Sequence, residues 1–226
     1  MNCIKEIPKN VTAFACGMGL GKGQILEEWA QILSANPNAA CILDADFFYY
    51  SGIEKLLAQR SRSKQATVLT PHPKEFAVLL ANCGMGEYTN SQIQSRRFEL
   101  ASQFCQKYPD IVLLLKGANP IIACKFSSDE QNLQNFYAEK TAKTAYNCGY
   151  AKDQTLLLVN SFGSACLAKG GTGDVLSGLI CALLAQGYSA LDAAASASLA
   201  HAMAGSKIEC TYGLTAQKLI DAVQTL

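Results

Sequence analysis

The residues best suited to chemistry are Gly170-Gly171-Thr172-Gly173-Asp174, which run directly into Val175-Leu176-Ser177-Gly178-Leu179-Ile180. Glycines without side chains let backbone N–H groups approach an anion at a helix start, where the dipole favours negative charge. A carboxylate beside such an anion hole is electrostatically awkward. It makes sense if Asp174 takes a proton from a hydroxyl that attacks phosphorus. The same five residues also describe a Gly-rich turn with Asp174 as an ordinary helix-start acid. Other residues must decide between the two.

Cys16-Gly17-Met18-Gly19-Leu20-Gly21 is a tight turn through which the backbone can approach a phosphate or sugar. The dinucleotide fingerprint needs a further glycine at position 22, which is Lys22, so a nicotinamide-binding Rossmann unit is disfavoured. Asp44 and Asp46 suit a metal, a sugar hydroxyl or a turn cap. In Thr70-Pro71-His72-Pro73-Lys74-Glu75 two prolines hold the backbone extended around one of only two histidines. Pro73 can open a helix with Glu75 near its positive end. The imidazole and carboxylate then suit recognition of a polar ring, or the segment is simply a stiffened connector. The other histidine, His201, lies on an apolar helix face and reads as a satisfied core residue. Lys116 heads Lys116-Gly117-Ala118-Asn119-Pro120, where it can neutralise phosphate or sit solvated at a strand exit. Asn160-Ser161-Phe162-Gly163 bounds an adenosine pocket or is a plain turn.

Short apolar runs alternating with longer periodic segments position these residues and predict an α/β fold with a largely parallel central sheet flanked by helices. Strands are expected at residues 11–16, 40–43, 66–69, 111–115, 120–124 and 155–160. Helices are expected at 23–33, 52–59, 74–80, 91–107, 173–186, 190–206 and 215–224. Ligands in such folds bind beyond the carboxyl ends of the strands. Gly17, Asp44, Thr70 and Lys116 each follow a predicted strand, and four such coincidences outweigh any one motif. Residues 126–154 are polar in texture and read as an elongated hairpin loop or insertion. All 226 residues read as one domain.

Half the residues are hydrophobic, 16% are charged and the net charge is +1, so no broad field attracts nucleic acid or an anionic membrane. The apolar stretch 175–205 is cut by Gln186, Gly187 and Asp192 into pieces too short to span a bilayer. Ten scattered cysteines form no C-x-x-C pair, and no secretory start precedes them, which fits a reducing cytoplasm.

Taken in order, Gly17-Met18-Gly19-Leu20-Gly21, Leu43-Asp44-Ala45-Asp46, Thr70-Pro71-His72-Pro73-Lys74-Glu75, Leu115-Lys116-Gly117-Ala118-Asn119 and the segment from Gly163 to Gly178 resemble the ADP/ATP-dependent NAD(P)H-hydrate dehydratases of the ribokinase-like superfamily. That resemblance implies repair of NADH or NADPH whose ring has taken up water. A phosphoryl group from ADP, more readily than from ATP, would pass to the hydrate hydroxyl, and phosphate would then leave. Carried over, Asp174 would be the base, and Gly171, Thr172 and Gly173 would hold the transferring phosphate. Lys116, Gly117, Ala118, Asn119, Pro120 and Gly173 would contact the nucleotide. Gly19, His72, Glu75 and Asp174 would contact the hydrate. Mg²⁺ would accompany the phosphates, with no ligand named. The resemblance also implies an epimerase as a separate partner; self-association stays open.

Three features depart from the pattern. The family's first strand–helix–strand portion has no counterpart in the ten residues ahead of the first strand, so the chain reads as starting inside the fold. Lys74 stands where a glycine is usual. The run Gly163-Ser164-Ala165-Cys166-Leu167-Ala168-Lys169 differs from Gly-Asn-Pro-Gly-Met-Ala-Thr and adds a lysine beside the phosphate turn. Two rivals share the glycine–Asp helix start: a small-molecule kinase acting on a thiazole or pyrimidine alcohol, and a non-catalytic nucleotide-binding subunit.

Overall fold

The computed structural model describes residues 10–125, 146–150, 155–208 and 213–226. Among the described residues, seven strands form one sheet in the order β1-β2-β3-β4-β5-β7-β6: β1 Ala13–Cys16, β2 Ala40–Leu43, β3 Thr67–Leu69, β4 Ile111–Leu115, β5 Ile121–Cys124, β6 Tyr146–Tyr150 and β7 Leu156–Asn160. β1 to β4 pair in parallel, and the β4–β5, β5–β7 and β7–β6 pairings are antiparallel. Consequently β1, β2, β3, β4 and β7 all point the same way, and their carboxyl ends share one edge of the sheet.

Burial on both faces explains the continuous apolar runs. In β4, Ile111, Leu113 and Leu115 enter one core while Val112 and Leu114 enter the other. The first core is closed by α1 (Gln24–Ala35), α2 (Ile53–Arg62), α3 (Pro73–Asn82), α4 (Asn90–Ser95) and α5 (Arg97–Lys107). The second is closed by α6 (Thr172–Ala185) and α7 (Ala190–Lys207). A smaller cluster of Cys166, Val175, Ala204, Leu214 and Leu219 seats α8 (Ala216–Val223) against α6 and α7. At the opposite end of the sheet, the buried Arg60 guanidinium donates to Thr67 Oγ1 at 2.7 Å and to the Ala39 carbonyl at 2.8 Å. Those bonds satisfy a charge that would otherwise be costly to bury.

Two expectations need correction. The helix predicted over 91–107 is two helices, broken at Arg96, whose φ of −116° leaves the helical region. A capping box at Thr89 and Gln92 starts the first of them. The 126–154 excursion contains a strand, β6, on the sheet edge; Asn147 and Gly149 dilute its β-character, which hid it in the sequence. Residues 126–145 and 151–154 lie outside the described residues. No described helix is long and apolar enough to cross a membrane.

Two contacts fix the site's position and are testable. A Cβ on Gly17 (φ +122°) would lie 1.6 Å from the Asp44 carbonyl oxygen, so β1 and β2 can approach as they do only with glycine there. Gly17→Ala should destabilise the protein by about 2 kcal/mol or more in urea unfolding; a change within about 0.5 kcal/mol would contradict this packing. His201, on α7, is buried with Nε2 2.9 Å from the Thr172 carbonyl. Burial, and to a lesser degree the Lys116 charge, hold its pKa below the usual value, against the pull of the Thr172 bond. The unfolded chain therefore binds the extra proton more readily, so stability should fall as pH drops below about 6.5. The fall should be shallower in His201→Gln, and identical pH profiles of unfolding would refute the assignment.

Candidate active site

The shared sheet edge gathers the motif residues. At the end of β2, Asp44 is almost completely buried. Its Oδ1 accepts from Lys116 Nζ at 2.8 Å and from the Ala45 backbone N–H at 2.8 Å, and its Oδ2 accepts from Ser177 Oγ at 2.7 Å. One carboxylate thus ties β2 to the exit of β4 and to the second turn of α6. Asp46 turns the other way and accepts from the Gly21 N–H at 2.8 Å, which fastens the loop containing Gly19 (φ +66°).

His72 caps α3. Its Nδ1 accepts from the backbone N–H groups of Lys74 and Glu75, at 3.1 and 3.2 Å, so the ring proton sits on Nε2. Glu75 answers by accepting from the His72 N–H at 2.7 Å, and its other oxygen lies 3.1 Å from His72 Nε2. This is a capping box with imidazole in the place of a hydroxyl. Pro73 occupies the first turn, as its fixed φ predicts. Glu75 is also 3.9 Å from Lys116 Nζ, so the lysine stands between two carboxylates. The imidazole remains half exposed beside the cleft, while its Nδ1 is committed to the cap.

The start of α6 is over-determined. Gly171, at φ +86°, is its left-handed N-cap and offers no side-chain cap, which leaves the first-turn N–H groups for an external acceptor. Thr172 Oγ1 lies 2.7 Å from the carbonyls of both Leu167 and Lys169, and His201 holds the Thr172 carbonyl from below. A Cβ built on Gly173 would lie 3.6 Å from Lys116 Nζ. The ammonium therefore stands at the helix start, where a cation opposes the dipole unless an anion joins them. Asp174 is exposed on that first turn and lines a cavity of about 500 Å³ between α6 and α8, opposite Ala216 and Ile220.

Among the predicted residues, Lys116, Glu75, His72 and Gly173 meet through this chain of contacts, and Asp174 follows one residue on. The loop after Lys116 is pinned from α5 by Arg97 Nη1, 3.3 Å from the Asn119 carbonyl, and from β7 by the Asn160 N–H, which donates to the Pro120 carbonyl at 3.0 Å. Asp44, which sequence reasoning left open between three roles, is the residue that ties these elements together. Its signal was a carboxylate immediately after a wholly buried strand, which demands donors nearby once it is buried too. His201 is a satisfied core histidine as expected, with the added work of bracing the start of α6. No three His, Cys, Asp or Glu side chains converge as a metal cage among the described residues.

A family model described as NAD(P)H-hydrate dehydratase matches residues 2–144 and 125–225. The chain is 36% identical over 98% of its length to the bifunctional NAD(P)H-hydrate repair enzyme Nnr of Helicobacter pylori, covering 39% of that protein. It is 28% identical over 92% of its length to the ADP-dependent (S)-NAD(P)H-hydrate dehydratase of Neisseria meningitidis, covering 59% of it. The chain thus spans about two fifths of the bifunctional relative and three fifths of the other. The ADP/ATP-dependent NAD(P)H-hydrate dehydratase of Bacillus subtilis, co-crystallized with ATP/Mg²⁺, superposes with a TM-score of 0.65 at 22% identity, over 96% of this chain and 65% of that one, which establishes a common fold. By these matches the chain belongs to the NAD(P)H-hydrate dehydratase family.

Proposed function

We propose that the chain returns hydrated NADH or NADPH to the reduced dinucleotide at the expense of a nucleoside polyphosphate, with ADP preferred over ATP. The observation that carries this reading is the meeting of Lys116 Nζ with the uncapped start of α6, one residue before an exposed Asp174. Phosphate oxygens would be held by the N–H groups around Gly171, Thr172 and Gly173 and by the Lys116 ammonium, which would then turn from Asp44 toward the ligand. Gly117, Ala118, Asn119 and Pro120 would border the nucleotide. Gly19, His72 and Glu75 would border the hydrate ring.

Asp174 would remove the proton of the ring hydroxyl as its oxygen attacks the terminal phosphorus, and AMP would leave with the electrons of the broken P–O bond. The new phosphate ester is a far better leaving group than hydroxide. Its C–O bond breaks with help from the ring nitrogen lone pair, and loss of a proton from the neighbouring carbon restores the double bond. The sum is hydrate plus ADP giving reduced dinucleotide, AMP and phosphate. Mg²⁺ would travel with the nucleotide phosphates and screen their charge. The preference for ADP is supported by the name of the Neisseria relative.

Chemically hydrated NADH supplied with Mg²⁺ and ADP should regain absorbance at the reduced-nicotinamide band. Recovery with neither ADP nor ATP would reject the activity, and a stable phosphorylated alcohol would point to a kinase instead. In Asp174→Asn, turnover should drop by about 10²–10⁴-fold while ADP affinity stays within about threefold; a mutant as fast as the parent would remove Asp174 from the role of base.

A further inference from the structure

Phe162 lies two residues beyond β7, at the same sheet edge as Lys116, and is 46% exposed. A single exposed phenylalanine is ordinary on any protein surface. What distinguishes this one is how firmly its backbone is fixed. The Phe162 N–H donates to Asn160 Oδ1 at 2.9 Å, and Asn160 is itself wholly buried. The Asn160 amide nitrogen donates in turn to the carbonyl and to the hydroxyl of Ser198 on α7, both at 3.1 Å. The neighbouring Gly163 brings the Phe162 turn against the lysine loop, since a Cβ there would lie 3.6 Å from the Ala118 carbonyl oxygen.

Comparison with the other exposed aromatic side chains sharpens the contrast. Tyr49 lies under the Lys22 ammonium at 4.3 Å, and Phe98 lies against the Arg97 guanidinium at 5.1 Å. Tyr188 stands just past the far end of α6, a helix length of roughly 20 Å from Asp174. Phe162 has neither a ring nor a cation partner among the described residues, although it borders the loop that begins with Lys116. An uncovered aromatic face on a firmly tied backbone, beside the cation proposed to hold phosphate, matches the stacking surfaces used for planar heterocycles.

We infer that Phe162 is the stacking platform for the purine base of the nucleotide co-substrate. This rests on the proposed function, because the nucleotide phosphates must sit at Lys116 and the α6 start for the base to reach Phe162. The aromatic face supplies affinity without choosing among bases, since every base presents a π-face.

Calorimetric titration of the full chain with ADP, and separately with inorganic pyrophosphate as a ligand lacking the base, tests the assignment. Phe162→Ala should weaken ADP binding by about tenfold to a hundredfold and leave pyrophosphate binding unchanged, whereas Phe162→Tyr should retain ADP affinity. The only tryptophan is Trp29, which packs edge-on against Phe14 in the first core. In a Trp29→Phe background, Phe162→Trp should therefore report the base directly: its fluorescence should be quenched by ADP and untouched by pyrophosphate. Unchanged ADP affinity in Phe162→Ala would overturn the platform while leaving the proposed function standing. Equal weakening of ADP and pyrophosphate would also overturn it, by showing a disturbed phosphate turn instead of a lost stack. Failure of the parent protein to bind any nucleotide would overturn the proposed function itself, and the platform with it.

Discussion

The candidate site hangs on the Asp44–Lys116 ion pair. Asp44 is held by three donors from three parts of the chain, the Ala45 N–H, the Lys116 ammonium and the Ser177 hydroxyl. The carboxylate is almost completely buried, so removing the Lys116 ammonium would strand a buried charge, which is far more costly than never having made the pair. The pair also decides geometry. It draws the exit of β4 toward the exit of β2 and pulls the second turn of α6 onto both, which brings Gly173 up to the lysine. Without that clamp, the helix start would have no fixed relation to the cation.

Around the clamp, each strand exit solves a local backbone problem with the same residues that could meet a ligand. Gly17 is glycine because the Asp44 carbonyl fills the space of a Cβ. Asp46 closes the glycine loop, while His72 and Glu75 close the start of α3. His201 and Thr172 brace the start of α6. Such fixed backbone would suit binding by positioning, in which the N–H dipoles of the α6 start are already aimed and only the Lys116 ammonium has to move.

Much of this was legible in the residues. Buried strands betray themselves as continuous apolar runs such as Ile111–Leu115, and the turn chemistry of Pro73 and Gly171 is local, so it survives any tertiary context. The strand exits at Gly17, Asp44, Thr70 and Lys116 could be aligned from the sequence because a parallel sheet puts all such ends on one edge. Features that depend on distant partners were not legible. Ser177 reaches Asp44 across 133 residues, and nothing in the helical run Val175–Ile180 marks that hydroxyl as anything but a tolerated polar residue. Strand β6 escaped because an edge strand needs little intrinsic propensity once β7 offers it a row of partners. The break at Arg96 escaped because the periodic pattern continues through it; only the capping box at Thr89 hints that a short separate helix begins there.

Because Lys116 is already paired with Asp44, its ammonium does not stand at the helix start as a naked charge. An incoming anion must displace a carboxylate that is in contact and permanently tethered. Orthophosphate, with a single phosphorus centre, has little to offer in that exchange, whereas a diphosphate can seat one group on the helix start and a second on the ammonium. The clamp would then act as a filter on ligand valence, holding a diphosphate where a lone orthophosphate would slip away.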